Sequence, residues 1–271
     1  MSLILGSNMI KIKFIKMVAT GNDFIVVDDK NLKVNLASFA RKICDRKYGV
    51  GADGLLLIGK SKKADARMRI FNADGSEAEM CGNGARAAAL YTGKKKATLE
   101  TKAGVIHAEV TNNDVKINLT APKETRIGLP IKVESRSMNV NFINTGVPHT
   151  VIFSEGLDAI DIVPLGRQIR NHKCFSPKGT NVNFVEVLGR DLIRVRTYER
   201  GVEDETLACG TGSTASALIF ALASGISERV RVKTQSGEML NIYFKKSGNS
   251  FSDVWLEGKA KIVYMGEYNY V

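Results

Sequence analysis

Cys81-Gly-Asn-Gly-Ala-Arg-Ala-Ala-Ala-Leu90 recurs 128 residues later as Cys209-Gly-Thr-Gly-Ser-Thr-Ala-Ser-Ala-Leu218. Each stretch reads as a glycine-rich turn that opens an alanine-rich helix, and the segments around them repeat in the same order. Upstream, Arg67-Met-Arg-Ile-Phe-Asn72 matches Arg194-Val-Arg-Thr-Tyr-Glu199 at an offset of 127, an alternating strand feeding an acidic loop. Further upstream, Thr20-Gly-Asn-Asp-Phe-Ile-Val-Val27 matches Thr145-Gly-Val-Pro-His-Thr-Val-Ile152 at 125. Downstream, Glu100-Thr-Lys-Ala-Gly104 matches Lys233-Thr-Gln-Ser-Gly237 at 133, each entering an alternating hairpin. Ordered matches whose offsets differ only by loop-sized amounts indicate a duplicated chain.

Two domains follow, at 9–130 and 131–271, behind an N-terminal extension at 1–8. The seam is expected near 121–140, where the polar, proline-containing stretch 121–130 reads as a linker or long turn. The second repeat then begins with a strand near Met138, and the last strand, near 260–264, is a candidate to return to the first domain. Strands at 25–27, 55–58, 115–119 and 183–187 carry alternating or fully apolar patterns. Helices are expected at 36–45, 84–91, 162–171 and 213–224. The last is apolar on nearly all sides, so its sheet must wrap it. The expected class is therefore α/β (α+β), with two pseudo-symmetric domains, each a curled, mostly antiparallel sheet around a central helix.

The 271 residues, 44% of them hydrophobic, are enough for a substantial core without disulfide or metal staples. Lys and Arg outnumber Asp and Glu, 39 to 28, for a net charge of +11. The basic clusters, Arg41-Lys42, 60–63 and 94–96, are nonetheless short, scattered and without interleaved aromatics, so they read as solvated surface and no nucleic-acid partner is expected. The longest apolar run, 215–223, falls far short of the roughly 20 residues that cross a bilayer, so no membrane partner is expected. Asn8, Lys11, Lys13 and Lys16 interrupt the opening apolar residues, which argues against an export signal and for a cytoplasmic protein. The four cysteines, at 44, 81, 174 and 209, show no metal-ligand spacing. Cys44 and Cys174 read as small buried hydrophobes.

Cys81 and Cys209 differ from these because both repeats place them at the same step of the same turn. The first turn of a helix leaves N–H groups unpaired and carries partial positive charge, which stabilises a thiolate. The same N–H groups form an anion site, and glycines let a carboxylate come close to the backbone. Inverting an α-carbon without a cofactor requires taking a proton from one face and returning one to the other. One thiolate and one thiol, each from one repeat, suit that task, since the ordinary cysteine pKa of about 8.5 leaves both forms accessible. Two helix N-termini at one carboxylate would stabilise the enolate-like charge that develops. The motifs match neither a P-loop nor a full dinucleotide fingerprint.

Six stretches carry a resemblance to the diaminopimelate epimerase family: Thr20-Gly-Asn-Asp-Phe, Gly49-Val-Gly-Ala-Asp-Gly, Phe71 through Arg86, Asn144-Thr-Gly-Val-Pro-His, Gly179-Thr-Asn-Val-Asn-Phe, and Tyr198-Glu-Arg-Gly through Gly212. The resemblance implies the fold of that family and interconversion of LL- and meso-2,6-diaminopimelate for lysine and peptidoglycan synthesis, with no cofactor and no metal. It implies that Cys81 and Cys209 are the acid/base pair and that Gly82, Asn83, Gly210 and Thr211 hold the α-carboxylate. Asn22, Asn72 and Asn181 would contact the substrate, and Glu199 with Arg200 would meet its charged groups. His149 and Glu199 would tune the thiols, and Tyr264 would lie at the contact of a homodimer. Read without the resemblance, His149 is a strand-end residue and Asn22 and Asn72 are turn formers. The chain also departs from the family: Val147 stands where Asn is common, Gly54 where some members have Gln, and the loop 201–206 is acidic and one residue longer. Two other functions fit the twin cysteines: a proline racemase-like isomerase, and a non-enzymatic redox protein with a regulatory disulfide.

Overall fold

Strand β1 (Ile10–Ala19) begins the fold with Lys11 and Lys13 exposed and Ile12 and Phe14 buried, the alternation of a half-buried strand. A register shift between Lys16 and Met17 then moves the buried set to Met17 and Ala19, as a bulge does. The computed structural model describes residues 9–30, 32–134 and 136–270, so the extension expected at 1–8 lies outside the described residues.

The chain divides into two compact units, the first running to Val115 and resuming at Lys259, the second running from Lys116 to Gly258. In the first, β1 is followed by β2 (Asn22–Asp28), α1 (Leu36–Cys44), β3 (Gly54–Gly59), β4 (Ala66–Asn72), β5 (Glu77–Ala78), α2 (Gly82–Tyr91), β6 (Lys96–Thr101), β7 (Gly104–Thr111) and β8 (Asp114–Asn118), in which the unit ends. The second holds β9 (Lys123–Val133), β10 (Arg136–Asn144), β11 (Pro148–Phe153), α3 (Ile162–Arg170), β12 (Asn181–Gly189), β13 (Leu192–Glu199), β14 (Asp204–Thr206), α4 (Gly210–Ser224), β15 (Arg229–Lys233), β16 (Met239–Ser247) and β17 (Ser250–Lys259). Strand β18 (Lys261–Tyr270) belongs to the first unit and pairs with β1.

The two units repeat one pairing scheme. The antiparallel pair β1–β2 answers to β10–β11, the parallel pair β2–β3 to β11–β12, and the antiparallel pair β3–β4 to β12–β13. After the central helix, β6 runs parallel to β4 and β15 parallel to β13, each followed by an antiparallel partner, β7 or β16. Helix α2 touches β1, β2, β3, β4, β6 and β7, and α4 touches their counterparts β10, β11, β12, β13, β15 and β16. Each sheet thus curls round its own helix, giving the mixed α+β class. Residues 212–221 of α4 are buried throughout, which is why the helix shows no polar face.

Both faces of each sheet are covered. Leu55 and Leu57 of β3 pack with Phe39 and Ile43 of α1, whereas a Cβ on Gly84 of α2 would stand 3.1 Å from Leu56. In β12, Val182 and Phe184 pack with Ile162 and Ile169 of α3. The helices expected at 36–45, 84–91, 162–171 and 213–224 fall on α1 to α4, with α2 and α4 beginning directly after their cysteines.

Two expectations need correction. The stretch 121–130 is not a linker: most of it lies in β9, an eleven-residue strand antiparallel to β10. Its fully buried side chains begin only at Ile131 and Val133, while Ile127 is exposed, so its polar, edge-like half hid a strand. By compactness the first unit ends at Val115, within β8, and the second begins at Lys116. Cys174 is exposed, not buried, because it sits in a short 3-10 turn at 173–175 whose buried member is Phe175.

Candidate active site

The two cysteines close their helices in the same way. Cys81 is the extended residue before α2, and its Sγ accepts the Gly84 amide at 3.5 Å. Cys209 stands before α4, and its Sγ accepts the Gly212 amide at 3.4 Å. In each case the thiol does the work of a capping side chain and sits on the first-turn amides. The amides of Gly82 and Asn83, and of Gly210 and Thr211, belong to the group that a helix leaves without carbonyl partners.

Around Cys81 the turn is braced from below. Asn83 is buried, and its Oδ1 accepts Arg86 Nη2 at 2.7 Å; the same nitrogen donates to Thr20 Oγ1 at 2.6 Å. Arg86 is fully buried. Asn83 Nδ2 donates to Asn22 Oδ1, and Asn22 Nδ2 donates to Asp53 Oδ2 at 3.1 Å, so Asn22 is oriented from both ends of its amide. Asp53 is clamped in turn by Arg46, which also grips Asp23. Burial works to raise the Asp23 pKa, but Arg46, Lys16 and the Asp53 amide hold its carboxyl well below the usual carboxylate range. Asn72 stands apart from this chain of contacts. It is exposed, and its Nδ2 donates to Ser76 Oγ at 2.9 Å within its own turn.

Arg86→Met is expected to destabilise the protein by about 2 kcal/mol or more, since Thr20 and Asn83 lose their buried donor. The check is a lower denaturant midpoint at unchanged slope; an unaltered midpoint would refute the brace.

Around Cys209 the surroundings are largely buried polar groups, with Glu199 and Arg200 as the charged members. Thr145 Oγ1 donates to the Thr211 carbonyl at 3.1 Å, tying the β10–β11 turn to the helix start. His149 is completely buried, and burial, followed by the charge of Arg200, pushes its pKa down to about 3. Asn183 bridges His149 Nδ1, the Thr150 carbonyl and the Thr197 hydroxyl. Asn181 donates to the Pro148 carbonyl at 3.0 Å and accepts the Arg200 amide at 2.9 Å, so it fixes the start of the loop that carries Arg200. Burial raises the Glu199 pKa against the opposing bond from Thr206 Oγ1, at 3.0 Å. In the first unit, Tyr264 is 45% exposed on β18, with its ring edge on Phe14. Among the described residues no group of three or more His, Cys, Asp or Glu is arranged to hold a metal, and no helix is long and apolar enough to cross a membrane.

The family model for diaminopimelate epimerase matches residues 14–124 and 141–271. The chain belongs to the diaminopimelate epimerase family. The diaminopimelate epimerase of Aquifex aeolicus (strain VF5) is 44% identical, the match covering 94% of this chain and 96% of that one. That of Methanocella arvoryzae is 43% identical, over 96% and 97% of the two chains. A phenazine biosynthesis protein of the PhzF family from Bacillus anthracis superposes with a TM-score of 0.75 at 19% identity, covering 96% of this chain and 99% of that one. A hydroxyproline epimerase from Agrobacterium vitis superposes at 0.72 with 16% identity, covering 96% and 92%. These structures share the fold.

Within this diaminopimelate epimerase family member, each unit gathers its own share of the expected residues. Cys81, Gly82, Asn83 and Asn22 form one connected set, and His149, Asn181, Glu199, Arg200, Cys209, Gly210 and Thr211 lie on the elements around the second helix start. Sequence reasoning missed Arg86, Asp53, Asn183 and Thr197. Asn183 had a visible signal, a polar side chain in the middle of the apolar strand 183–187, and Arg86 another, an arginine inside an alanine run.

Proposed function

We propose that this chain interconverts LL- and meso-2,6-diaminopimelate by proton transfer between two cysteines. One thiolate sulfur takes the α-proton, leaving the C–H electron pair on the α-carbon and spread into the carboxylate. The other thiol delivers its proton to the opposite face, so that thiol and thiolate have exchanged places when the product leaves. Gly82, Asn83, Gly210 and Thr211 hold the α-carboxylate by backbone amides, which stabilises the charge as it forms. Asn22, Asn72 and Asn181 contact the substrate, and Glu199 with Arg200 meets its distal charged groups, the planar guanidinium suiting a carboxylate. The thiols supply every proton moved, so the reaction as proposed calls for neither a cofactor nor a metal.

The observation that carries this reading is the pair of N-capping thiols, each accepting the third amide of its helix at equivalent positions of two units. At both places the unpaired first-turn amides and the helix's partial positive charge favour a thiolate, which a cap alone would not need. A cytoplasmic role in lysine and peptidoglycan synthesis goes with the reaction. The run Ile262, Val263, Tyr264 and Met265, each more than 40% exposed, supports a homodimer formed through β18.

Incubation with LL-diaminopimelate, proline and hydroxyproline in deuterated water tests the assignment. Deuterium at one α-carbon, with meso product, is expected from diaminopimelate alone. Uptake confined to proline would point to a proline racemase-like enzyme, and no uptake from any of the three would end the two-thiol proposal.

A further inference from the structure

The helix starts of the two units rest on chemically different layers. In the first unit, pairing places Phe24 of β2 beside Gly54 of β3, and Leu56 of β3 beside Ile70 of β4. A Cβ on Gly84 would meet the methyl tips of Leu56 and Ile70. In the second unit the same positions hold His149 beside Asn181, and Asn183 beside Thr197. A Cβ on Gly212 would meet Asn183 Oδ1. Since one unit builds this layer entirely from apolar side chains, the fold does not demand a polar one. Buried polar groups are costly unless fully paired, so the second layer calls for another reason.

Its hydrogen bonds have one consistent direction. The Thr150 carbonyl only accepts, so the Asn183 amide turns its NH2 toward it, at 3.0 Å. The Thr197 hydroxyl, donating to Asn183 Oδ1 at 3.0 Å, agrees with that orientation. The second hydrogen of the NH2 then points at His149 Nδ1, 3.2 Å away, which has to present a lone pair. Complete burial keeps the ring neutral. A neutral ring with a bare Nδ1 carries its proton on Nε2.

We propose that Asn183, oriented by Thr197 and the Thr150 carbonyl, is a positioning residue that locks His149 as a fixed Nε2–H hydrogen-bond donor and not a proton-accepting base. The Nε2 atom meets no hydrogen-bond partner among the described residues, although buried donors are ordinarily paired. Resting on the amino-acid epimerase reading, the acceptor it serves is an anionic oxygen of the substrate, whose charge grows as the α-proton leaves. Of the two equivalent layers, among the described residues only the one beneath α4 carries such a histidine donor.

The test is nuclear magnetic resonance of protein labelled at the histidine nitrogens, the His149 signals being those missing from His149→Gln. Long-range proton–nitrogen correlations near neutral pH should show the proton on Nε2 and a bare Nδ1. A proton on Nδ1, or a charged ring, would overturn the proposal. The double variant Asn183→Leu/Thr197→Ile carries the first unit's residues into the second and should fold. In it the fixed Nε2–H signature should be lost and kcat should fall roughly 10- to 100-fold, the scale of a lost positioning contact, with KM little changed. Unchanged kcat would show that the layer is merely structural. If the wild-type protein shows the Nε2–H form but epimerises no diaminopimelate, the substrate assignment fails while the locked tautomer stands.

Discussion

Cys81→Ala and Cys209→Ala are each expected to abolish epimerisation, lowering the rate of meso formation on the order of 10³-fold or more. Well-placed acid or base groups contribute about 10²- to 10⁴-fold, and a two-base inversion needs both members in every turnover. The difficulty is that each sulfur also caps its helix, accepting Gly84 or Gly212. Losing a cap costs about 1 kcal/mol, well short of the roughly 5–15 kcal/mol that holds a typical domain together. The alanine variants should therefore fold and lose activity far out of proportion to their stability. Cys81→Ser and Cys209→Ser sharpen the comparison. A serine oxygen restores the cap acceptor, yet its hydroxyl does not ionise in the range where a thiol does. Stability should return toward wild type while the rate stays down. Substantial epimerisation by any one of these variants, measured by chiral separation of the stereoisomers, would remove the two-thiol chemistry.

What the sequence makes legible follows from how local each signal is. The Cys-Gly-x-Gly turns are legible because cap, glycines and helix are neighbours in the chain, and the duplication makes each copy a check on the other. Helices α1 to α4 are legible for the same reason. Strand β9 was not, because a strand that buries side chains only at one end shows half an alternation. Its Glu124 and Gly128 also take positive φ, so the pattern is broken where it might have been read. Cys174 was misjudged since residue type says little about the depth of a turn. The supports of the site were hidden for another reason. Arg86 meets Thr20 across 66 residues, and Asn183 meets His149 across 34, so each contact exists only once the sheets have closed. The alignment of Phe24 with His149 was visible at an offset of 125, but not that the exchange recurs at Leu56/Asn183 and Ile70/Thr197 to make one layer.

That layer yields the second large effect, at a residue with no side chain. Gly212→Ala and Gly84→Ala sit at equivalent steps of α4 and α2, and alanine improves helix propensity by about 1 kcal/mol at either place. On propensity alone the two substitutions should behave alike. Their surroundings separate them. A Cβ at residue 84 would lie 3.1 Å from Leu56 Cδ2 and 3.3 Å from Ile70 Cδ1, the far ends of side chains that can give a few tenths of an ångström. A Cβ at residue 212 would lie 2.3 Å from Asn183 Oδ1 and 3.3 Å from Cys209 Sγ. Asn183 cannot retreat without breaking bonds to Thr150, His149 or Thr197, so the strain passes to the turn that holds the sulfur. Gly212→Ala should lose about 1–3 kcal/mol, the usual cost of overpacking. Its kcat should fall on the order of 10²-fold, as expected for a reacting group displaced by about 1 Å. Gly84→Ala should stay within about 1 kcal/mol of wild type and keep most of its activity, the gain in propensity offsetting the crowding. Denaturant midpoints and epimerisation rates measured side by side decide the matter. Equal behaviour of the two variants would mean that Asn183 yields easily, and that the polar layer beneath Cys209 is softer than its hydrogen bonds imply.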